Sequence, residues 1–260
     1  MIKSVEVGRI SARNQLGAGL VRGIVNGAMA GGEQLMLSPR GVGPGGWRPG
    51  AGRKRIPSQK RTSVAHRRRP ALPRSTPLHV TLRLVEGVPT LRRPKVLRWI
   101  RRCLQLSHKE RFGIVQFSVQ GNHLHMIVEA KDERVLARGM QGLQIRLAKR
   151  LNTLFGRRGK LFRERYHAQP LRSPKQVRSA LAYVLNNRRR HLAASGKRLQ
   201  SGYLDPFSSA PHFQGWSGPT WTDSCLAGEP VTVEPKTWLL RVGWKRHGPL
   251  DVNALPGPRR

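Results

Sequence analysis

The 260-residue chain carries 49 lysines and arginines against 13 aspartates and glutamates, a formal net charge of +36. A folded domain with that imbalance repels itself unless a polyanion lies against it, which points to nucleic acid and to strongly salt-dependent binding. A solvated basic surface is the plain alternative, but the excess is far above what solubility requires.

Cys103 and Cys225 are the only cysteines and lie far apart, which excludes a disulfide framework or a paired-cysteine zinc site and fits a reducing cytoplasm. No apolar stretch is long enough to cross a bilayer. Arg22 and Asn26 interrupt the apolar part of the N-terminal segment, which argues against a signal peptide.

Residues 1–38 show no clear period, and the abrupt change into Pro39-Arg40-Gly41 suggests Met36 as the true start, which mass spectrometry of the native N-terminus tests. Residues 41–77 are Gly, Pro and Arg with almost nothing to bury, so residues 1–77 read as a disordered basic arm. Its clusters, Arg53-Lys54-Arg55 and Arg67-Arg68-Arg69, suit tracking phosphates or serving as a solvated tether. Gly50-Ala51-Gly52-Arg53-Lys54 is no phosphate-binding P-loop, because no strand precedes it and no Ser or Thr follows the lysine.

The ordered core starts at Leu78. The β-branched content and alternation of residues 79–85 predict a strand, and Val96, Leu97, Ile100, Cys103 and Leu104 fall at helical spacing. Residues 114–120 and 123–129 flank Gly121-Asn122 as an antiparallel hairpin. Leu136, Met140, Leu143 and Leu147 form the apolar stripe of a long helix over about 132–153, and residues 166–171 fit a last strand. Ser173-Pro174-Lys175-Gln176 is a helix start, with Ser as N-cap, Pro at the first position and Gln three residues after the cap. That helix is expected to run to about His191.

The order predicts an α+β domain over 78–192: a ferredoxin-like βαββαβ antiparallel sheet with helices on one face, an opposite face open to a ligand, and an added C-terminal helix. Residues 193–260 read as an irregular basic extension whose Trp216, Trp221, Trp238 and Trp244 either stack on unpaired bases or pack back onto the core.

His123 and His125 alternate with Leu124 in the third strand, so both imidazoles leave one face, where two neutral rings can share a divalent cation. Tyr183 and Asn187 are four residues apart on the last predicted helix and share a face, which Arg190 continues. His79, on the neighbouring strand, is either a partner of the metal-bound rings or an ordinary strand histidine.

This combination resembles the HUH-type single-tyrosine transposases, most closely the REP-associated tyrosine transposase-like proteins. The resemblance covers about 78–191 and rests on His79-Val80-Thr81, on Gly121-Asn122-His123-Leu124-His125-Met126-Ile127-Val128, and on Tyr183-Val184-Leu185-Asn186-Asn187. The flanks, residues 46–54 and 238–244, also look like extensions of some bacterial members. The resemblance implies metal ligands at His123, His125 and Asn187, a nucleophile at Tyr183, Mg²⁺ or Mn²⁺ as cofactor, and single-stranded or hairpin-forming DNA as partner. It departs at Arg188, where family members commonly place proline.

The chemistry is self-consistent. A cation on the two imidazoles would polarise a phosphate oxygen, and a phenol, ordinarily titrating near a pKa of about 10, needs positive surroundings to attack. A covalent phosphotyrosine conserves the bond energy for rejoining, so no ATP site or nucleotide cofactor is needed. Arg190 is a phosphate clamp or a solvated helix-end cation. Tyr166 and Tyr203 compete as nucleophiles less well, the first in a strand and the second in a Gly- and Ser-rich loop. The alternatives are a non-catalytic relative that only binds DNA, or an RNA-binding sheet, for which Phe117 is the lone central-strand aromatic. Membrane attachment is not expected, and a homodimer and a monomer are both compatible with the sequence.

Overall fold

The computed structural model describes Leu72 and residues 76–257. The basic arm with Arg53, Lys54, Arg55, Arg67, Arg68 and Arg69, and the Met36 start, lie outside the described residues.

Strand β1 (Leu78–Arg83) alternates cleanly: Leu78, Val80 and Leu82 are fully buried on one face, so His79, Thr81 and Arg83 take the other. Helix α1 (Pro94–Gln105) has Pro94 in its first turn and buries Val96, Leu97, Ile100, Cys103 and Leu104. Strands β2 (Phe112–Val119) and β3 (His123–Ala130) form the expected hairpin, with a register shift between Ile114 and Gln116. Helix α2 (Glu133–Leu154) is capped by Asp132, whose carboxylate accepts from the Val135 amide at 2.8 Å. Strand β4 (His167–Pro170) spans four residues.

The sheet order is β2-β3-β1-β4 with antiparallel neighbours, which is the ferredoxin-like split βαβ arrangement. Leu82, Leu124, Met126 and Val128 pack with α1 and α2 in one core. Among the described residues, no helix is long and apolar enough to cross a membrane.

Two expectations need correction. Helix α3 (Pro174–Leu185) starts as read, with the Ser173 hydroxyl accepting from the Gln176 amide at 3.2 Å, but it does not reach His191. It breaks at Asn186 (φ −97°, ψ 14°), and α4 (Asn187–Ala194) begins at the next residue. The second sheet face is not simply open either. Val115 and Ile127 pack on that face with Leu181 and Val184 of α3 and with Leu240 and Trp244 of the C-terminal segment, in a second core. Burial of apolar area on both faces stabilises the sheet more than one layer of helices would.

The C-terminal segment also lies along the outer edge of β2. The Ser209 amide donates to the Phe117 carbonyl at 3.0 Å, the Val119 amide to the Phe207 carbonyl at 2.8 Å, and the Val233 amide to the Ile114 carbonyl at 3.1 Å. Glu129 accepts from the backbone amides of Lys236 and Thr237 at 2.7 and 2.8 Å. Arg92 clasps the buried Asp205 carboxylate with two bonds of 2.8 and 2.7 Å, donates to the Val119 carbonyl, and covers the Phe207 ring. Trp244 is buried and Trp216 half-buried in the second core, whereas Trp221 and Trp238 are about half exposed, at 48% and 51%.

Candidate active site

Register assembles the site. Thr81 of β1 stands opposite His125 of β3, and Arg83 opposite His123, so the polar face of the two central strands gathers His79, Thr81, Arg83, His123 and His125. The His123 and His125 rings lie edge to face with centroids 4.8 Å apart. Helix α3 crosses this face and places the Tyr183 ring 5.1 Å from the His125 ring and 5.5 Å from that of His79. The expected nucleophile and the expected imidazole pair are therefore brought together.

Hydrogen bonds orient both rings. The Asn122 side-chain oxygen sits 2.8 Å from His123 Nδ1; as an acceptor it keeps the proton on Nδ1 and leaves Nε2 with its lone pair. His125 Nδ1 lies 3.1 Å from Thr81 Oγ1 and 3.2 Å from His79 Nε2, so Nε2 is again the nitrogen that would reach a cation. His79 thus belongs to the site as a partner of His125. Ring orientation by an outer hydrogen bond is the usual support of a metal-ligating histidine.

Burial also favours a neutral His123 ring. The His123 pKa is lowered from 6.5 to about 4, by desolvation first and then by His191 and Arg83. An unfolded chain takes up this proton below about pH 6.5, whereas the folded chain resists it until about pH 4. The stability His123 contributes above pH 6.5 is therefore lost as pH falls through that window, by roughly 1–3 kcal/mol. Urea unfolding at pH 7 and pH 4 measures this, and the effect is expected to shrink in His123→Phe. Equal loss in the variant would place the titration elsewhere.

Asn187 is fully buried, and among the described residues neither its side-chain oxygen nor its nitrogen has a hydrogen-bond partner. Leaving an amide this way costs about 1–3 kcal/mol. The residues one turn to either side of it touch the histidine pair: Tyr183 meets His125, and His191 meets His123 with ring centroids 5.6 Å apart. Arg190 stacks its guanidinium 5.3 Å from the Tyr183 ring centroid and donates to the Gly257 carbonyl at 3.1 Å. It is therefore tied to both the phenol and the C-terminal segment, unlike a free helix-end cation.

His191, Asn122 and Thr81 are site residues that sequence reasoning missed. The spacing of Tyr183, Asn187 and His191 at successive helical turns was the available signal for the first. Burial, with Arg190, Arg188 and Arg92 nearby, lowers the His191 pKa. The competing tyrosines are elsewhere: Tyr166 is buried in the core under α1 and α2, and Tyr203 packs against Trp221 with centroids 4.8 Å apart. Among the described residues, no group of three or more His, Cys, Asp or Glu side chains is placed to hold a metal. A cation here would need Asn187, or water, to complete its shell.

No family model matches the sequence, and no curated protein matches it. Among solved structures, a REP-associated tyrosine transposase bound to a REP hairpin aligns over 64% of this chain and 98% of its own, at 17% identity and a TM-score of 0.45.

Proposed function

We propose that the chain is a divalent-metal-dependent DNA strand transferase that cleaves and rejoins single-stranded or hairpin-forming DNA through a covalent phosphotyrosine at Tyr183. The observation that carries this reading is the Tyr183 ring of α3 packed edge to face on His125, which in turn lies edge to face with His123. Mg²⁺ or Mn²⁺ fits the donor set of His123 Nε2, His125 Nε2 and the unsatisfied Asn187 oxygen. Once bound, it would polarise a non-bridging oxygen of the scissile phosphate.

The Tyr183 oxygen gives up its proton to solvent and attacks phosphorus, the bond from phosphorus to the 3′-oxygen breaks, and that oxygen takes a proton from solvent to become the 3′-hydroxyl. A second strand's 3′-hydroxyl reverses the attack, restoring a phosphodiester and the free tyrosine without ATP. Arg190 faces the transferring phosphate from beside the phenol. Asn122, Thr81 and His79 hold the imidazoles in register. The arm cations Arg53, Lys54, Arg55, Arg67, Arg68 and Arg69 add charge that favours binding to phosphates, and the substrate puts the enzyme at the cytoplasmic nucleoid.

Labelled, hairpin-flanked single strands incubated with Mn²⁺ test this through a denaturant-resistant protein–DNA adduct. Adduct with Mn²⁺ and none with EDTA is expected. DNA binding without adduct at any strand length or metal concentration would make the protein a binder only.

Asn187→Leu separates the two consequences of the buried amide. The metal-free variant is expected to gain about 1–3 kcal/mol in urea unfolding, because an unsatisfied amide is gone. Its stabilisation by Mn²⁺ is expected to fall sharply. A destabilised variant with unchanged response to Mn²⁺ would remove Asn187 from the ligand set.

A further inference from the structure

We infer that residues 248–257 form a strap that sets the angle between α3 and α4, with Asn186 as the positioning residue it holds; this rests on the strand-transferase reading. Asn186 is 5% exposed and stands at the break between the helix that carries Tyr183 and the helix that carries Asn187 and His191. Its side-chain nitrogen donates to the Asp251 carbonyl at 3.0 Å and to the Ala254 carbonyl at 3.2 Å. One short amide thus serves two carbonyls of a segment 65 residues away along the chain.

The strap is itself anchored. Leu250 and Val252 are each 1% exposed within the second core, together with Val184 and Leu185. The Leu250 amide donates to the Gly215 carbonyl at 2.8 Å, and Asn253 Oδ1 accepts from the Gly202 amide at 3.0 Å. Arg178 of α3 donates to the carbonyls of Gly248 and Pro249, and Arg190 of α4 to that of Gly257. The strap therefore touches both helices and the joint between them. On α4's other contact, Arg189 donates to the carbonyls of Leu199, Gln200 and Tyr203.

Fixing this joint matters because Tyr183 must meet the phosphate from one side of the break, while Asn187 and His191 address the histidine pair from the other. A misplacement of about 1 Å between reacting groups costs on the order of 10²-fold in rate. Neither Asn186 nor the strap needs to touch DNA to have this effect. A carboxylate at 186 would face two carbonyl oxygens and repel them, and alanine would simply release them.

The test uses the full chain with Asn186→Asp and Asn186→Ala, each assayed about 20 °C or more below its own melting temperature so that a folded population is measured. The single-turnover rate of adduct formation at saturating DNA is expected to fall at least about 10-fold, while the DNA concentration for half-saturation stays within about two-fold. In the metal-free protein without DNA, amides 187–194 are expected to exchange at least about 10-fold faster, with 175–181 unchanged. If Asn186→Asp does not fold, Asn186→Ala carries both measurements. An unaltered rate in Asn186→Ala, or faster exchange spread over the whole chain, overturns the positioning role. Absence of adduct with the unaltered chain overturns the strand-transferase reading and this one with it.

Discussion

Tyr183→Phe is expected to abolish the covalent protein–DNA adduct, a loss on the order of 10³-fold or more, while DNA affinity and fold are retained. The change removes one oxygen and leaves the ring where it packs, 5.1 Å from His125 and 5.5 Å from His79. No other tyrosine is placed to substitute. Tyr166 is 7% exposed within the core, on the far side of the sheet from the imidazoles. Tyr203 lies against Trp221, and burial followed by the nearby Asp205 raises its pKa, opposite to what an attacking phenol needs. Denaturing gels and peptide mapping of the adduct measure this. An adduct that persists in the variant and maps to Tyr203 would relocate the active site.

Asp205→Ala is expected to destabilise the protein by about 3–5 kcal/mol in urea unfolding, because it strands a partly buried guanidinium. The Asp205 side chain is 3% exposed and that of Arg92 16%, so solvent screens this pair little. Asp205 also accepts from the Phe207 amide at 3.2 Å, which fixes the turn that feeds residues 207–209 along β2. Its loss leaves Arg92 and Arg188 as neighbouring cations without their carboxylate. The double variant Arg92→Met/Asp205→Ala is expected to recover part of the loss, since no uncompensated charge remains buried. A cost below about 1 kcal/mol for the single change would mean that water already separates the pair.

Much of the fold was legible because its causes are local. The alternation of Leu124, Met126 and Val128 with His123, His125 and Ile127 names both faces of β3, and Asp132 and Ser173 announce their helices through their own side chains. The hairpin was legible for the same reason, with Asn122 supplying turn chemistry; its second task, orienting His123, depends on a side-chain geometry no pattern reveals. The helix break at Asn186 was not legible. The run from Val177 through His191 keeps helical spacing, and what breaks it is a pair of carbonyls far along the chain. Arg92 and Asp205 are likewise joined across 113 residues. Composition marked residues 193–260 as irregular because short apolar groups, Leu240 and Trp244 among them, follow no period while packing on α3 and the sheet.

The occupied margin of β2 bears on how two chains could meet. Strand edges are natural templates for continuing a sheet into a neighbouring molecule. Here the outward groups of Ile114, Phe117 and Val119 are already satisfied from within, by Val233, Ser209, Phe207 and Arg92. Merging two sheets through that strand would require peeling away Phe207 and Val233, which pack on the first and second cores. Any twofold partnership of this protein has to be built on other ground.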